Sequence, residues 1–306
     1  MNKRPGTVLQ LAFLAIALIG SASASAVGTF DRALTVNGPV DLEVLNHSGD
    51  LTIRTGSSAT VTIHATIHAN NKWLTGSHED EVHQLQQNPP IHQNGNSIRI
   101  EHIESHDLSV DYEITVPEET SVRSHTGSGN QTLSGLRGKI DLESGSGDLQ
   151  LSGINGEMHV RTGSGNVHAD RVSGPISSHA GSGDIHIEET GAGDADIETG
   201  SGNIDLKGLV GGLRASAGSG DITIAGELKE SWRIHTGSGN VRLRVPSEAA
   251  FDVDLATSSG NAVVNHPVTT TIQGKIQEGH KTVQGKVRGG GPLLSVRTGS
   301  GDVQVD

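Results

Sequence analysis

Residues 158–188 read MHVRTGSGNVHADRVSGPISSHAGSGDIHIE. Gly-Ser-Gly occurs twice in this stretch, at Gly163 and Gly181, 18 residues apart. Apolar residues alternate on both sides of it: Met158 and Val160 before Gly163, Val167 and Ala169 after it. A period of two denotes a strand with one buried face, not a helix. The same unit recurs outward in both directions. Gly-Ser-Gly-Asn or Gly-Ser-Gly-Asp begins at Gly127, Gly145, Gly163, Gly181, Gly200, Gly218, Gly237 and Gly299, and the first seven stand 18 or 19 residues apart. A degenerate copy, Ser258-Ser259-Gly260-Asn261, lies between the last two, and His47-Ser48-Gly49-Asp50-Leu51 precedes the series.

Alignment on the first glycine gives apolar columns five and three positions before it and four and six after it; Ile140, Leu142, Leu149 and Leu151 fill them around Gly145. Two short strands cannot bury an apolar face alone, whereas stacked repeats bury it in one column. The expected fold is all-β: a single-stranded β-solenoid with one coil per repeat and a short N-terminal cap helix. Glycine is expected at the corners because φ must be positive there. The Asn or Asp that follows is expected to bond nearby backbone donors and, stacked in register, to form a ladder.

Composition agrees with a narrow interior. The 306 residues include 42 glycines, 2% aromatics and no cysteine. Without cysteine there are no disulfides, thiolate metal sites or cysteine nucleophiles. The absence of a G-X-Y period excludes collagen. Residues 1–26 have the pattern of a secretory signal peptide: Lys3 and Arg4, an apolar run from Leu9 to Ile19, then Ala22-Ser23-Ala24 and Ala24-Ser25-Ala26 as small-residue cleavage sites. Loss of Lys3 and Arg4 takes the formal charge from −13 to −15. Such an acidic, aromatic-poor surface disfavours nucleic acid and anionic membranes. No later segment is apolar enough to span a bilayer, so a secreted or periplasmic protein is expected.

The division expected is therefore 1–26 signal peptide, 27–117 an irregular β region, and 118–306 the repeat solenoid. In the irregular region Val40–Val44, Val61–Ala65 and Val110–Ile114 alternate as strands. Between them Ser77 can cap a helix that opens with Glu79, Asp80 and Glu81 and stops at Pro89-Pro90, a lid over the first coil. Residues 265–292 form a second irregular stretch. The chain finishes on Asp302-Val303-Gln304-Val305-Asp306, read as an open strand edge available for self-association.

These residues carry a family resemblance. Asn46-His47-Ser48-Gly49-Asp50-Leu51, Val110-Asp111-Tyr112-Glu113-Ile114-Thr115-Val116-Pro117, the repeats, and the ending Gly289-Gly290-Gly291-Pro292 with Thr298-Gly299-Ser300-Gly301-Asp302-Val303 resemble the exported, adhesin-like β-strand-repeat (toastrack) family of unknown function. The resemblance implies a bacterial, extracytoplasmic, all-β repeat domain with no catalytic residues to carry over. The partner expected is an unidentified envelope protein or surface polymer.

The sixteen histidines are the main candidate chemistry. Two positions before the repeat glycine stand His125, Glu143, Arg161, His179, Glu198, Ser216 and His235. Stacked, they form either a solvated ladder of small energetic weight or a pH-responsive stripe, since histidine titrates near neutrality. His64 with His68, and His102 with His106, are four apart, a zinc spacing on helices but not on strands. The eighteen-residue coil matches calcium-binding β-rolls in period but not in acid placement. Phosphate loops and nucleophile elbows need a helix where strands follow here. No cofactor or metal is expected. The function expected is a non-catalytic adhesin-like or envelope-interaction role. The alternative is a solenoid enzyme acting on envelope or extracellular glycans, for which Asp141, Asp196, Asp205 and Asp254 are the outward carboxylates.

Overall fold

A computed structural model describes residues 25–57, 59–69, 79–105, 107–269 and 281–306. The fold is the β-solenoid that the repeats predict. Each coil gives one strand to each of two sheets. The strand leading into Gly-Ser-Gly, such as Met158–Ser164, joins a 14-stranded sheet, and the strand leaving it, such as Val167–Val172, joins a 13-stranded sheet. Successive coils pair in parallel and in register, so Met158 stands between Ile140 and Ile176. At the usual interstrand spacing, 13 strands make a stack about 60 Å long.

The inner faces of the two sheets meet in one aliphatic core. Ile140, Leu142, Leu149 and Leu151 are each 0% exposed. Aromatic bulk enters at Trp232 and Phe251, both fully buried. The Trp232 indole N–H donates to the Gly211 carbonyl at 3.0 Å, so burying the ring leaves no unpaired donor.

The repeat glycines answer to contact rather than to φ. None of Gly127, Gly145, Gly163, Gly181, Gly200, Gly218, Gly237 and Gly299 lies in the left-handed region. A Cβ on Gly145 would sit 2.6 Å from the Gly127 carbonyl oxygen, and one on Gly200 would sit 2.5 Å from that of Gly181. Stacked coils approach too closely for any side chain there. Positive φ falls two residues later in four of these motifs, at Gly129 (φ 135°), Gly220, Gly239 and Gly301. The positive-φ explanation is thereby corrected for the first glycine of each motif.

Strand order departs from chain order at both ends. Val40–Ser48 lies between Thr120–Ser128 and Ser97–Ile100, and Leu51–Thr55 lies between Gln131–Ser134 and Leu108–Val116. Antiparallel strands Thr60–Ala69 and Ser25–Thr35 then extend the 13-stranded sheet. Ser25 and Ala26 of the expected leader open that outer strand; residues 1–24 lie outside the described residues. The expected helix is present as Glu79–Gln87, while Ser77 lies outside the described residues. It covers the Ser25–Thr35 strand rather than the first coil. Val82 is 5% exposed, and the Arg32 guanidinium donates to the carbonyls of Gln86 and Gln87, 3.0 Å each, at the helix C-terminus.

At the other end, Leu293–Ser300 inserts between Trp232–Ser238 and Phe251–Ser259, and Val303–Val305 inserts between Val241–Arg244 and Ala262–Val264. The expected open C-terminal edge is overturned, because Val303–Val305 is hydrogen-bonded on both sides. The outermost strand of that sheet is Ala262–Val264.

Candidate functional site

The outward face of the 14-stranded sheet carries the sequence-predicted ladder. Register places His125, Glu143, Arg161, His179, Glu198, Ser216 and His235 side by side in one row, followed by Arg297. Parallel in-register pairing makes this automatic: residues in one repeat column become neighbours across the sheet. His125 Nδ1 lies 3.1 Å from Glu143 Oε2, and His179 Nδ1 lies 3.3 Å from Glu198 Oε2. Arg161 and His235 make no ion pair within 4 Å among the described residues.

A second outward row lies two positions nearer the strand starts: Arg123, Asp141, His159, Ser177, Asp196, Arg214 and Arg233. His159 Nε2 lies 2.8 Å from Glu157 Oε1, and Lys139 Nζ lies 3.3 Å from Glu157 Oε2. The His159 bond, then Lys139, hold the Glu157 carboxyl below its ordinary range. Small Ser177 leaves space in this row, and a groove of about 520 Å³ opens there across successive coils. Its polar lining includes His159, Ser177, Asp194, Asp196, Arg214 and Arg233. Arg214 and Arg233 are register neighbours, and neither has a carboxylate within 4 Å among the described residues. The groove thus sets the Arg214–Arg233 pair among four carboxylates, Glu157, Asp194, Asp196 and Glu230.

The four carboxylates of the enzyme reading do not converge. Asp205 is on the 13-stranded sheet. Asp141 and Asp196 are three strand spacings apart, about 14 Å, beyond the roughly 5 to 10 Å of glycosidase pairs. Asp254 is ion-paired with Arg297. Burial pushes the Asp254 carboxyl up, but hydrogen bonds from Arg297 and Gln284 outweigh it, leaving it below the ordinary range.

The Asn and Asp residues of the corners form the ladder expected of them. Asp50 Oδ1 accepts the Asn130 N–H at 2.8 Å, Asn130 Oδ1 accepts the Asp148 N–H at 3.0 Å, and Asp148 Oδ1 accepts the Asn166 N–H at 2.8 Å. The series continues through Asp184, Asn203, Asp221, Asn240 and Asp302 to Asn261. Acid and amide alternate at every rung. At Asn166, Asn203 and Asn240 the side-chain amide also donates to the neighbouring acid, at 3.1 to 3.2 Å. His64 and His68 have separate partners, Asp31 and Asp111, each at 2.8 Å. His106 lies outside the described residues.

Two features escaped the sequence reading. His168 and His186 share the column five positions after the repeat glycine, and their rings stack. Aligning that outward column would have revealed them. Glu189 is 5% exposed, and neither carboxylate oxygen has a hydrogen-bond partner among the described residues. Burial, with the nearby Asp194 charge, pushes its carboxyl up to about 7.

The family model described as Toastrack DUF4097 matches residues 40–306. The chain belongs to the Toastrack family. Among solved structures, this Toastrack chain is similar to a "putative cell adhesion protein" from Clostridium sporogenes, with 10% identity, 91% of this chain and 99% of that one covered, and a TM-score of 0.28. It is also similar to a "putative adhesin" from Bacteroides fragilis (12% identity, 92% and 98% covered, TM-score 0.37). A third is a "putative lipid binding protein" from Parabacteroides distasonis (12% identity, 92% and 98% covered, TM-score 0.44). No curated protein matches the chain. Among the described residues no helix is long and apolar enough to cross a membrane.

Proposed function

We propose that this Toastrack chain is an exported, non-catalytic, adhesin-like protein that binds a cell-envelope partner through the outward face of its 14-stranded sheet. The observation that carries this reading is the groove beside Ser177, flanked by the Arg214–Arg233 pair and by Asp194, Asp196 and Glu230. A rigid sheet holds these charges at fixed spacing, which favours a partner of complementary mixed charge, an envelope protein or a surface polymer. The chain is secreted or periplasmic in this reading, directed by residues 1–26. Cleavage after Ala24 leaves the Ser25–Thr35 strand whole.

The test is binding of the mature chain to isolated cell-envelope fractions. Arg214→Glu with Arg233→Glu is expected to lower binding at least tenfold, the scale of a lost pair of charged contacts, with unchanged thermal unfolding. Retention of full binding by this variant sinks the reading of the groove. Release of reducing ends from a glycan panel would instead favour the enzyme.

A further inference from the structure

The 13-stranded sheet has an outward row of its own. Thr132, Gln150, His168, His186, Asp205 and Thr223 stand side by side in it. Among the described strand pairings, His168 opposite His186 is the one place where histidine faces histidine. Their rings stack with centroids 4.9 Å apart and planes 10° from parallel. His168 is exposed, and the His186 side chain is 32% exposed. Asp205, on the next strand, determines which nitrogen of His186 stays free. Its Oδ2 lies 3.1 Å from His186 Nδ1. A carboxylate only accepts, so Nδ1 carries the proton and neutral His186 keeps its lone pair on Nε2. Lys207 Nζ, 3.2 Å from the same oxygen, holds the carboxylate in place.

We propose that His168 and His186 form a binding site for a divalent transition-metal ion such as zinc, with Asp205 as the carboxylate that orients His186. Imidazole suits such ions, and a carboxylate behind a ligating histidine fixes its tautomer and raises its basicity. Zinc–nitrogen bonds of about 2.0–2.1 Å at a tetrahedral angle require nitrogens roughly 3.4 Å apart. Parallel strands at their normal spacing reach that distance by turning the two rings, without backbone change. Of the neighbouring carboxylates on this face, Asp170 is engaged by Arg171 at 3.1 Å, and Glu188 stands opposite Lys207 in register. As the side chains stand, no three metal-ligating groups converge among the described residues. The site therefore leaves positions open for water or for a donor from another molecule.

The experiment is calorimetric titration of zinc chloride into the full, tag-free chain at about pH 7.5, above the ordinary histidine pKa. The parent is expected to bind one equivalent that His168→Ala and His186→Ala each weaken at least tenfold, the usual scale of a lost ligand or its support. Asp205→Asn should weaken it about tenfold, and should add nothing when combined with His186→Ala, because Asp205 acts through that ring. His168→Gln and His186→Gln serve if either alanine variant unfolds in EDTA. A parent with no such equivalent, or histidine variants that bind zinc like the parent, overturns the proposal.

Discussion

Between Thr120 and Arg244 the order of strands along the chain is their order in space; at the two ends it is not. In the middle each coil pairs with the one 18 or 19 residues away, so closure of every contact is local. At the ends the coil 40–55 sits behind 97–116, and the coil 293–305 is threaded between two coils that precede it in the chain. The difference shows what the repeat unit specifies and what it leaves open. Apolar alternation and Gly-Ser-Gly define a coil that can lie against any other. They do not say which one. The end coils gain two paired edges from their penultimate places. The outermost positions pass to short or antiparallel pieces, Ser25–Thr35 and Ala262–Val264 in the 13-stranded sheet and Ile91–Asn94 and Val268–Thr269 in the 14-stranded one, with the helix Glu79–Gln87 against the first of them. Such caps protect edges that would otherwise pair with other chains.

The largest test of this contrast removes the threaded coil. Deleting residues 293–306 exposes the sites of Leu294, Val296, Val303 and Val305, each at most 1% exposed. At about 2 kcal/mol for each buried aliphatic, the loss is on the order of 8 kcal/mol. Phe251–Ser259 also loses its only parallel neighbour. Hydrogen exchange should therefore show protection lost from Phe251–Ser259, Ala262–Val264 and Lys281–Val287 as a unit, while strands 140–206 stay protected. Persisting protection in Phe251–Ser259 would mean that the threaded coil does not hold that end.

Glycine substitutions separate the regions next. In the middle, Gly200→Val drives a side chain against the Gly181 carbonyl 2.5 Å away, with the backbone of both coils fixed by their ladders. The cost should be about 4 kcal/mol, read from denaturant unfolding. Near the end, Gly289 (φ 92°) has nothing within 4 Å of an added Cβ, so Gly289→Ala meets only the left-handed backbone penalty, about 1 to 2 kcal/mol. Equal costs would show that close stacking is not what requires glycine in the repeats.

Glu189 is the middle's own irregularity. Its raised carboxyl pKa, about 7 against an ordinary 4.5, means the folded chain holds a proton that the unfolded chain gives up. The associated stability is complete below pH 4.5 and is lost as pH rises through about 7. The loss is about 3 kcal/mol at 1.36 kcal/mol per pKa unit. Glu189→Gln should flatten thermal stability over that window, and an unchanged pH slope would place the titration elsewhere.

The coil, its inward columns, the cap helix and the outward charge row were all legible, because each is a property of one repeat read in register. Strand order at the ends was not, because it depends on pairings between residues about 60 apart, such as Thr236 with Thr298. One signal for it was nevertheless present. Read along the chain, the corner residues run Asp221, Asn240, Asn261, Asp302, and the acid–amide alternation fails. Read through space they run Asp221, Asn240, Asp302, Asn261, and it is restored. Glu189 was illegible for a related reason. It stands eight after Gly181, one inward step beyond the apolar columns, where other repeats carry Gly135, Gly153, Arg171 and Gly208 and no apolar column marks burial.

The alternation also supplies the smallest test, aimed at the junction itself. Asn240 joins the regular stack to the threaded coil: its Nδ2 donates to Asp221 Oδ1 at 3.2 Å, and its Oδ1 accepts the Asp302 N–H at 3.0 Å. Asn240→Asp removes that donor and sets a carboxylate between those of Asp221 and Asp302, so that three consecutive rungs are acidic. Like charges directly opposite on neighbouring strands cost about 1 kcal/mol. Asn166→Asp makes the same change between Asp148 and Asp184, where chain order and spatial order agree. Both variants should lose similar stability at neutral pH and recover it as carboxylates protonate in acid. A matching pair of losses, read from thermal unfolding across pH, means that the threaded coil is a full rung of the ladder. A loss at Asn166→Asp alone would mean that alternation operates only where the repeat is locally closed, and that the end coil is placed by its buried aliphatics instead.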